Sequence, residues 1–256
     1  MIYDIQRASF LKRTPAWLLD MILLLVMVTG FLVAWSQVFN VTPHLDELSA
    51  KIEQYEVQFG GELSVSTDEY ERMTAEEKAA ADKVSLEISN ALNQDAEAVK
   101  LLELVATNIF AMLSLSILCA YVLLEFLIPL WLKNGQTLGK KCFGVALMRK
   151  DGVKVTPFMM FARTVLGKCT VETMIPVLAI VLMLIGLGGP LVLLGVAILL
   201  AQIIIPLATR NKTAIHDLMA CTVAVDLSSQ MIFNSTEEQL EYHKQIHEEN
   251  AAQADY

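Results

Sequence analysis

The stretch TMIPVLAIVLMLIGLGGPLVLLGVAILLAQIIIPLA, residues 173–208, carries no charge and is too long for one membrane-spanning helix, which needs about 20 apolar residues. Glycine and proline cluster near its centre, at Gly186, Gly188, Gly189 and Pro190, and such clusters interrupt helices. We therefore predict two helices of about 17–19 residues each, joined by a tight turn. A re-entrant pair of helices is the alternative.

Two further apolar blocks predict spans earlier in the chain, in a sequence that is 55% hydrophobic. The first block runs from about Ala16 to Val38 and the second from about Val105 to Leu132. The first is too long for a cleaved signal peptide and lacks a small-residue cleavage pattern, so we interpret it as a retained span. The sequence thus predicts an all-α membrane protein with four transmembrane helices.

Charge is distributed unevenly around these spans. Residues 38–104 carry fifteen acids and five bases, whereas residues 133–170 carry eight bases and one acid. Basic loops stay on the cytoplasmic side of a membrane, and four spans place residues 1–14, 133–170 and 210–212 there together. We therefore predict a multi-pass protein of the cell membrane with both termini in the cytoplasm.

These boundaries divide the chain into six segments. The expected organisation is a cytoplasmic N-terminus with the first span (1–39), an extracytoplasmic acidic helical hairpin (40–104), the second span (105–132), a basic cytoplasmic module (133–170), the third and fourth spans (171–209), and a cytoplasmic motif with an acidic tail (210–256). We interpret the acidic hairpin as a solvated insertion, and a partner-binding domain is the alternative.

The basic module is predicted to contain a β-hairpin. Asp151-Gly152 is a typical hairpin turn between residues 145–148 and 153–155. Because two strands alone are only marginally stable, we expect residues 222–225 to form a third strand. Residues 157–168 mix basic and apolar side chains, which predicts an amphipathic helix at the membrane interface. Lys140 and Lys141 are expected to contact anionic lipid headgroups.

Two carboxylates fall inside predicted spans, where an ionisable side chain costs about 2.5–3.5 kcal/mol to insert. Asp20 and Glu125 lie at similar depth in the cytoplasmic half of their helices, and we expect them to face each other. Arg13 and Arg163 are expected to lie nearby as basic partners, and Glu172 is a weaker third carboxylate. These groups either lock the helices together or handle an ion or a proton.

No catalytic or metal-binding pattern is evident in the sequence. Gly135 and Gly139 do not have the spacing of a phosphate-binding loop, and the four cysteines lack metal-ligand spacing. His216-Asp217 has no nucleophile beside it, so we expect a structural hydrogen bond there. We predict no enzyme activity, cofactor or metal, and no nucleic-acid partner because no basic stacking surface is evident.

Two motifs of the predicted cytoplasmic segments resemble the RDD family of bacterial membrane proteins. They are GQTLGKKCFGVALMRKDG (135–152) and IHDLMACTVAV (215–225), accompanied by Arg13 and Asp20 around the first span and by Arg163. The residues that match the family motifs are Gly135, Gln136, Thr137, Gly139, Lys140, His216 and Asp217.

This resemblance implies a role in transport, which for some members of the family is cation/proton exchange, or an accessory role beside membrane partners. The competing interpretation is a non-transporting regulator or assembly factor that acts through other proteins. Since four spans rarely enclose a transport path alone, a transporter of this size is expected to form a homo-oligomer or to bind a membrane-protein partner.

Overall fold

The computed structural model describes residues 5–132, 134–184, 189–209 and 213–254. Its α-helices are α1 (Phe10–Phe39), α2 (Val41–Phe59), α3 (Thr67–Arg72), α4 (Ala75–Gln94), α5 (Ala96–Tyr121), α6 (Ile128–Trp131), α7 (Leu138–Cys142), α8 (Pro157–Phe161), α9 (Ile175–Leu184), α10 (Pro190–Ala208), α11 (Ile215–Met219) and α12 (Thr236–Ala254). Two π-helical segments, Val122–Leu127 and Ala162–Met174, join α5 to α6 and α8 to α9. The strands are β1 (Val145–Arg149) and β2 (Thr222–Asp226).

Four helical runs are long and apolar enough to cross a membrane, which confirms the prediction of four apolar helices. They are Phe10–Phe39, Ala96–Trp131, Pro157–Met183 and Pro190–Ala208. The last two pack closely, because a Cβ added at Gly195 would meet Ala179 Cβ at 2.4 Å. Most of the predicted turn between them lies outside the described residues, as do Lys133, Arg210 and Lys212.

The helices run across two of the boundaries that we expected from the sequence. Residues 157–184 form one continuous helical run, which includes the division at residue 170 between the expected basic module and the third span. The run begins where Thr156 Oγ1 accepts a hydrogen bond from the Met159 N–H, with Pro157 in the first helical turn. The helix of the second span also begins earlier than expected, at Ala96, after Asp95 Oδ1 accepts from the N–H groups of Glu97 and Ala98.

The chain divides into two compact units, one of residues 32–115 and one of residues 1–31 and 116–256. Within the first of these, α2 and α4 pack together and bury Ile88 completely. A left-handed Gly60 ends α2, and Thr74 and Glu77 form a capping box at the start of α4. Lys51 forms ion pairs with Asp95 and Glu97.

In the second unit, β1 and β2 form an antiparallel ladder from Val145↔Asp226 to Arg149↔Thr222. The expected strand at residues 222–225 is therefore present, and it pairs directly with residues 145–148. The predicted hairpin is not formed, because residues 153–155 reach β1 only through the single bridge Met148↔Lys154. The chain makes the expected turn, with Gly152 at φ 90°, but Thr156-Pro157 starts a helix before a second ladder can form.

The sheet residues are buried on both faces. Val145, Leu147 and Ala224 pack with Met160 and Ala8 on one face, and Ala146, Met148, Val223 and Val225 form a cluster on the other. The N-terminal segment adds a bridge from Arg7 to Val225. We call residues 5–9, 134–156 and 213–233 the β-module. It contacts α1 and the π-helical segments through the polar groups described next.

Candidate functional site

Buried charged side chains gather where the spans meet the β-module. Apolar surroundings make unpaired charges costly, so the partners of each group decide what this region does. We call this set the charge cluster; its members are Asp20, Glu125, Lys140, Arg163, Lys168, Glu172, His216 and Asp217.

Asp20 of α1 is held by the start of α7. Thr137 Oγ1 donates a hydrogen bond to Oδ2 at 2.5 Å, and the Gly139 N–H donates to Oδ1 at 2.8 Å. Lys140 Nζ lies 3.7 Å from Oδ2. A Cβ at position 139 would lie 2.2 Å from the Ala16 carbonyl oxygen, so glycine allows α7 to approach α1 this closely. The glycine-rich motif thus binds an aspartate of the first span.

Lys140 is largely buried. Its side chain is only 12% exposed, and its Nζ donates to Thr137 Oγ1 at 3.1 Å. Burial lowers the pKa of Lys140 to about 8, although Glu125 and Asp20 oppose that shift. Arg13, expected beside Asp20, acts electrostatically on Asp217.

Glu125 forms an ion pair with Lys168 of the third span. Lys168 Nζ donates to Glu125 Oε1 at 2.6 Å. The Lys168 side chain is 12% exposed and the Glu125 side chain is 6% exposed. Oε2 of Glu125 is buried and has no hydrogen-bond partner within the part of the chain that the structure describes. A carboxylate oxygen accepts hydrogen bonds and binds cations, so this atom retains unused binding capacity.

Asp20 and Glu125 lie on one narrow crevice, which Leu23, Leu124 and Leu138 complete. The crevice is too tight to hold a water molecule. The structure therefore brings together the two carboxylates that the sequence singled out, but each has its own basic neighbour. Lys140 lies near Asp20 and acts electrostatically on Glu125.

Prolines explain the two π-helical segments, which carry Glu125, Arg163, Lys168 and Glu172. Pro129 has no N–H, so the Glu125 carbonyl lacks its usual donor four residues on; the Thr164 hydroxyl donates to it at 2.9 Å. Pro176 likewise has no N–H to donate to the Glu172 carbonyl. This carbonyl accepts a hydrogen bond from Gln202 Nε2 at 2.8 Å instead.

The two sites share a sequence pattern, a glutamate followed by Ile-Pro three residues later: EFLIP at 125–129 and ETMIP at 172–176. A related QIIIP occupies residues 202–206, where Gln202 supplies the amide just described. Single π-helical turns frequently mark functional sites. This shared pattern would have identified Glu172 from the sequence as a candidate site residue as strong as Glu125.

The second family motif, which begins with IHDLM at residues 215–219, completes the charge cluster. Arg163 Nε donates to Asp217 Oδ1 at 2.9 Å, with both side chains 2% exposed. Burial disfavours the Asp217 carboxylate, but Arg163 and its other neighbours prevail and lower the pKa of Asp217. Thr222 Oγ1 also donates to this carboxylate at 3.2 Å. Arg163 thus pairs with the motif, and its charge also acts on Glu125.

His216 contacts Glu172 in two ways. Its backbone N–H donates to Oε1 at 2.8 Å, and its Nδ1 lies 2.8 Å from both carboxylate oxygens. Its Nε2 lies 3.6 Å from Asp217 Oδ1. Burial lowers the pKa of His216; the charges of Arg163 and Lys168 add to this shift, while Asp217 and Glu172 oppose it.

The remaining motif residues shape the β-module. Gly135 adopts φ 61° against Leu147, and Gln136 Nε2 donates to the Val145 carbonyl at 2.8 Å. No group of three histidine, cysteine or acidic side chains suited to a metal ion occurs among the described residues.

Comparison with known proteins adds one finding. The model of the RDD family matches residues 7–221, which is most of the chain and includes every member of the charge cluster. No curated protein and no solved structure matches the chain significantly.

Proposed function

We propose that this chain, which belongs to the RDD family of membrane proteins, exchanges a monovalent cation for a proton at the Glu125–Lys168 pair. The observation that carries the proposal is the buried Oε2 of Glu125, which has no hydrogen-bond partner among the described residues. Ionisable groups at membrane depth are by default candidates for ion pathways. Here Oε2 belongs to a carboxylate whose other oxygen is paired with the ammonium group of Lys168, which can lose a proton.

The exchange follows from competition for one carboxylate. When a cation binds Glu125, the adjacent Lys168 ammonium is repelled and releases one proton, so one positive charge replaces another. When Lys168 is protonated again, its ammonium displaces the cation. A single carboxylate balances a single positive charge, which favours a monovalent cation.

An ion needs a way in and out, so the crevice beside Asp20 and Glu125 must widen during transport. The π-helical segments Val122–Leu127 and Ala162–Met174 are suited to this, because their carbonyls already rely on side-chain donors from neighbouring helices. We propose that the transporting form is a homo-oligomer, since four spans enclose little space.

The test is proton flux in liposomes that contain the purified protein. A sodium or potassium gradient is imposed, and a dye reports the internal pH. We expect the wild type to exchange and Glu125→Gln to lose at least tenfold in rate while it still inserts and folds. Glu241→Gln, on the exposed face of α12, is the matched control and keeps the wild-type rate. Wild-type flux no faster than that of empty liposomes contradicts the proposal.

A second candidate, a non-transporting regulator or assembly factor, is favoured by Asp20. Both of its oxygens have donors, which suits a lock between α1 and the β-module. In this case Asp20→Asn lowers the stability by about 1–3 kcal/mol, the range for a buried charged acceptor, and no variant changes flux because the wild type has none.

The proposed orientation places the β-module and both termini in the cytoplasm of the cell and residues 40–104 outside. It is supported by the excess of bases in residues 133–170. We propose that exposed basic side chains of this segment, such as Lys141 and Lys150, face anionic lipid headgroups.

A further inference from the structure

The proton that leaves Lys168 needs a route to water, and we infer that Glu172 and His216 provide it. This inference rests on the proposed exchange at Glu125. It assigns to the Glu172–His216 pair a function beyond the hydrogen bonds that join the two residues.

The groups form two contacting pairs that lie one helical turn apart. Lys168 Nζ is 2.6 Å from Glu125 Oε1, and Glu172 follows Lys168 by four residues within the same π-helical segment. The charge of Lys168 acts on both Glu172 and His216. Nδ1 of His216 is 2.8 Å from each oxygen of Glu172. The two pairs thus run from the interior of the spans to α11, which lies beyond the fourth span.

The charges around His216 keep its imidazole able to accept a proton. Glu172 and Asp217 favour the charged form, whereas burial, Arg163 and Lys168 oppose it, and the balance lowers its pKa. A neutral imidazole at neutral pH can take up a proton on one nitrogen and release another proton from the opposite nitrogen. Its side chain is 11% exposed, so the ring is sheltered but not sealed.

The transfer balances at each step. Cation binding at Glu125 displaces one proton from the Lys168 ammonium. The Glu172 carboxylate, four residues further along the same segment, accepts this proton when the two side chains approach each other. Glu172 passes the proton to Nδ1 of His216, and a proton leaves Nε2 to water. The reverse sequence recharges Lys168 when the cation departs. No oxidant, reductant or bound cofactor takes part.

A purely structural role does not require the imidazole. The backbone N–H of His216 already donates to Glu172 Oε1 at 2.8 Å, and any residue other than proline at this position can make that bond. Gly167, where an added Cβ would lie 2.7 Å from His216 Cβ, lets α11 pack against the π-helical segment. Alanine at position 216 retains both the N–H and the Cβ, so it removes the ring while keeping the docking.

The test combines exchange in liposomes with equilibrium binding of radioactive sodium to the purified protein. We expect His216→Ala to bind sodium as the wild type does but to exchange at least tenfold more slowly. Added imidazole should restore the rate. Pyrazole, which has nearly the same shape but is a much weaker base, should not. Glu172→Gln should show the same loss without rescue by imidazole, and His247→Ala on α12 is the unaffected control.

Two results overturn the inference while leaving the exchange itself intact. One is a wild-type exchange rate in His216→Ala, and the other is equal rescue by imidazole and pyrazole, which would mean that the ring only fills space. A wild type that does not exchange at all removes the proposed function and this route together.

Discussion

Asp20 shows how one motif holds a charge inside an apolar helix bundle. A hydroxyl, a backbone N–H and a lysine of the same short segment surround its carboxylate. A buried carboxylate is tolerated when donors satisfy both oxygens. Glu125 differs, because only one of its oxygens has a partner within the described residues. This difference between two carboxylates on one crevice is the reason to assign the first to structure and the second to ion binding.

Gly139→Ala tests the close contact between α7 and α1. The new Cβ would lie 2.2 Å from the Ala16 carbonyl oxygen and 2.8 Å from Asp20 Oδ1, so backbone must move. We expect a loss of about 1–3 kcal/mol in the free energy of unfolding, the range for overpacking, measured by denaturation in detergent. Gly30→Ala is the control, because nothing lies within 4 Å of its Cβ position. Equal stability of the two variants would show that α7 does not pack as described.

The titration of Lys140 tests the electrostatics of the cluster. Its pKa of about 8 predicts that its modification by a small acylating reagent rises with a midpoint near pH 8. Glu125 raises this pKa, so Glu125→Gln should move the midpoint to lower pH. Because a lysine in the unfolded chain stays charged to about pH 10.4, folding should gain stability between pH 8 and 10. An unchanged midpoint in Glu125→Gln would contradict the proximity of the two charges.

Among the elements, the helices that bear the charges differ from ordinary spans in one respect. Proline four residues after Glu125 and after Glu172 removes a main-chain donor, and a side chain of another helix replaces it. Each of these hydrogen bonds connects two helices beside the buried charged residues.

Pro129→Ala combined with Thr164→Val tests this coupling as a double-mutant cycle. In the parent protein, Thr164→Val leaves the Glu125 carbonyl without its donor, and we expect a cost of about 1–3 kcal/mol. In the Pro129→Ala background the restored N–H can serve the carbonyl, so the cost should fall by at least half. Thermal unfolding of the four proteins measures the cycle, and equal costs in both backgrounds would show that Thr164 does not replace the missing donor.

Hydrophobicity alone was enough to predict the four helical spans, and alternation was enough to predict β1 and β2. The hairpin prediction failed because the ladder partner of β1 is chosen by tertiary packing, which buries residues 222–225 against it. Arg163 and Lys168, which suggested an interfacial helix, pair with Asp217 and Glu125 within one continuous helical run. Partners so distant in sequence cannot be read from local pattern.

For the whole molecule, the proposed orientation makes a prediction that does not depend on transport. In a background without the four native cysteines, Ala80→Cys should react with an impermeant reagent added outside intact cells. Lys150→Cys and Leu240→Cys should react only after the cells are opened. All three positions are exposed. Labelling of Leu240→Cys from outside would place the C-terminal part of the chain on the other side of the membrane.

We propose that one cation and one proton compete at Glu125 and Lys168. The direct measurement is proton release from the purified protein in weakly buffered detergent solution when sodium chloride is added, with choline chloride as the control for ionic strength. We predict release of about one proton per chain at saturation, as expected when a cation displaces a proton, and none from Glu125→Gln. No release above the choline control, or equal release from Glu125→Gln, would contradict the account.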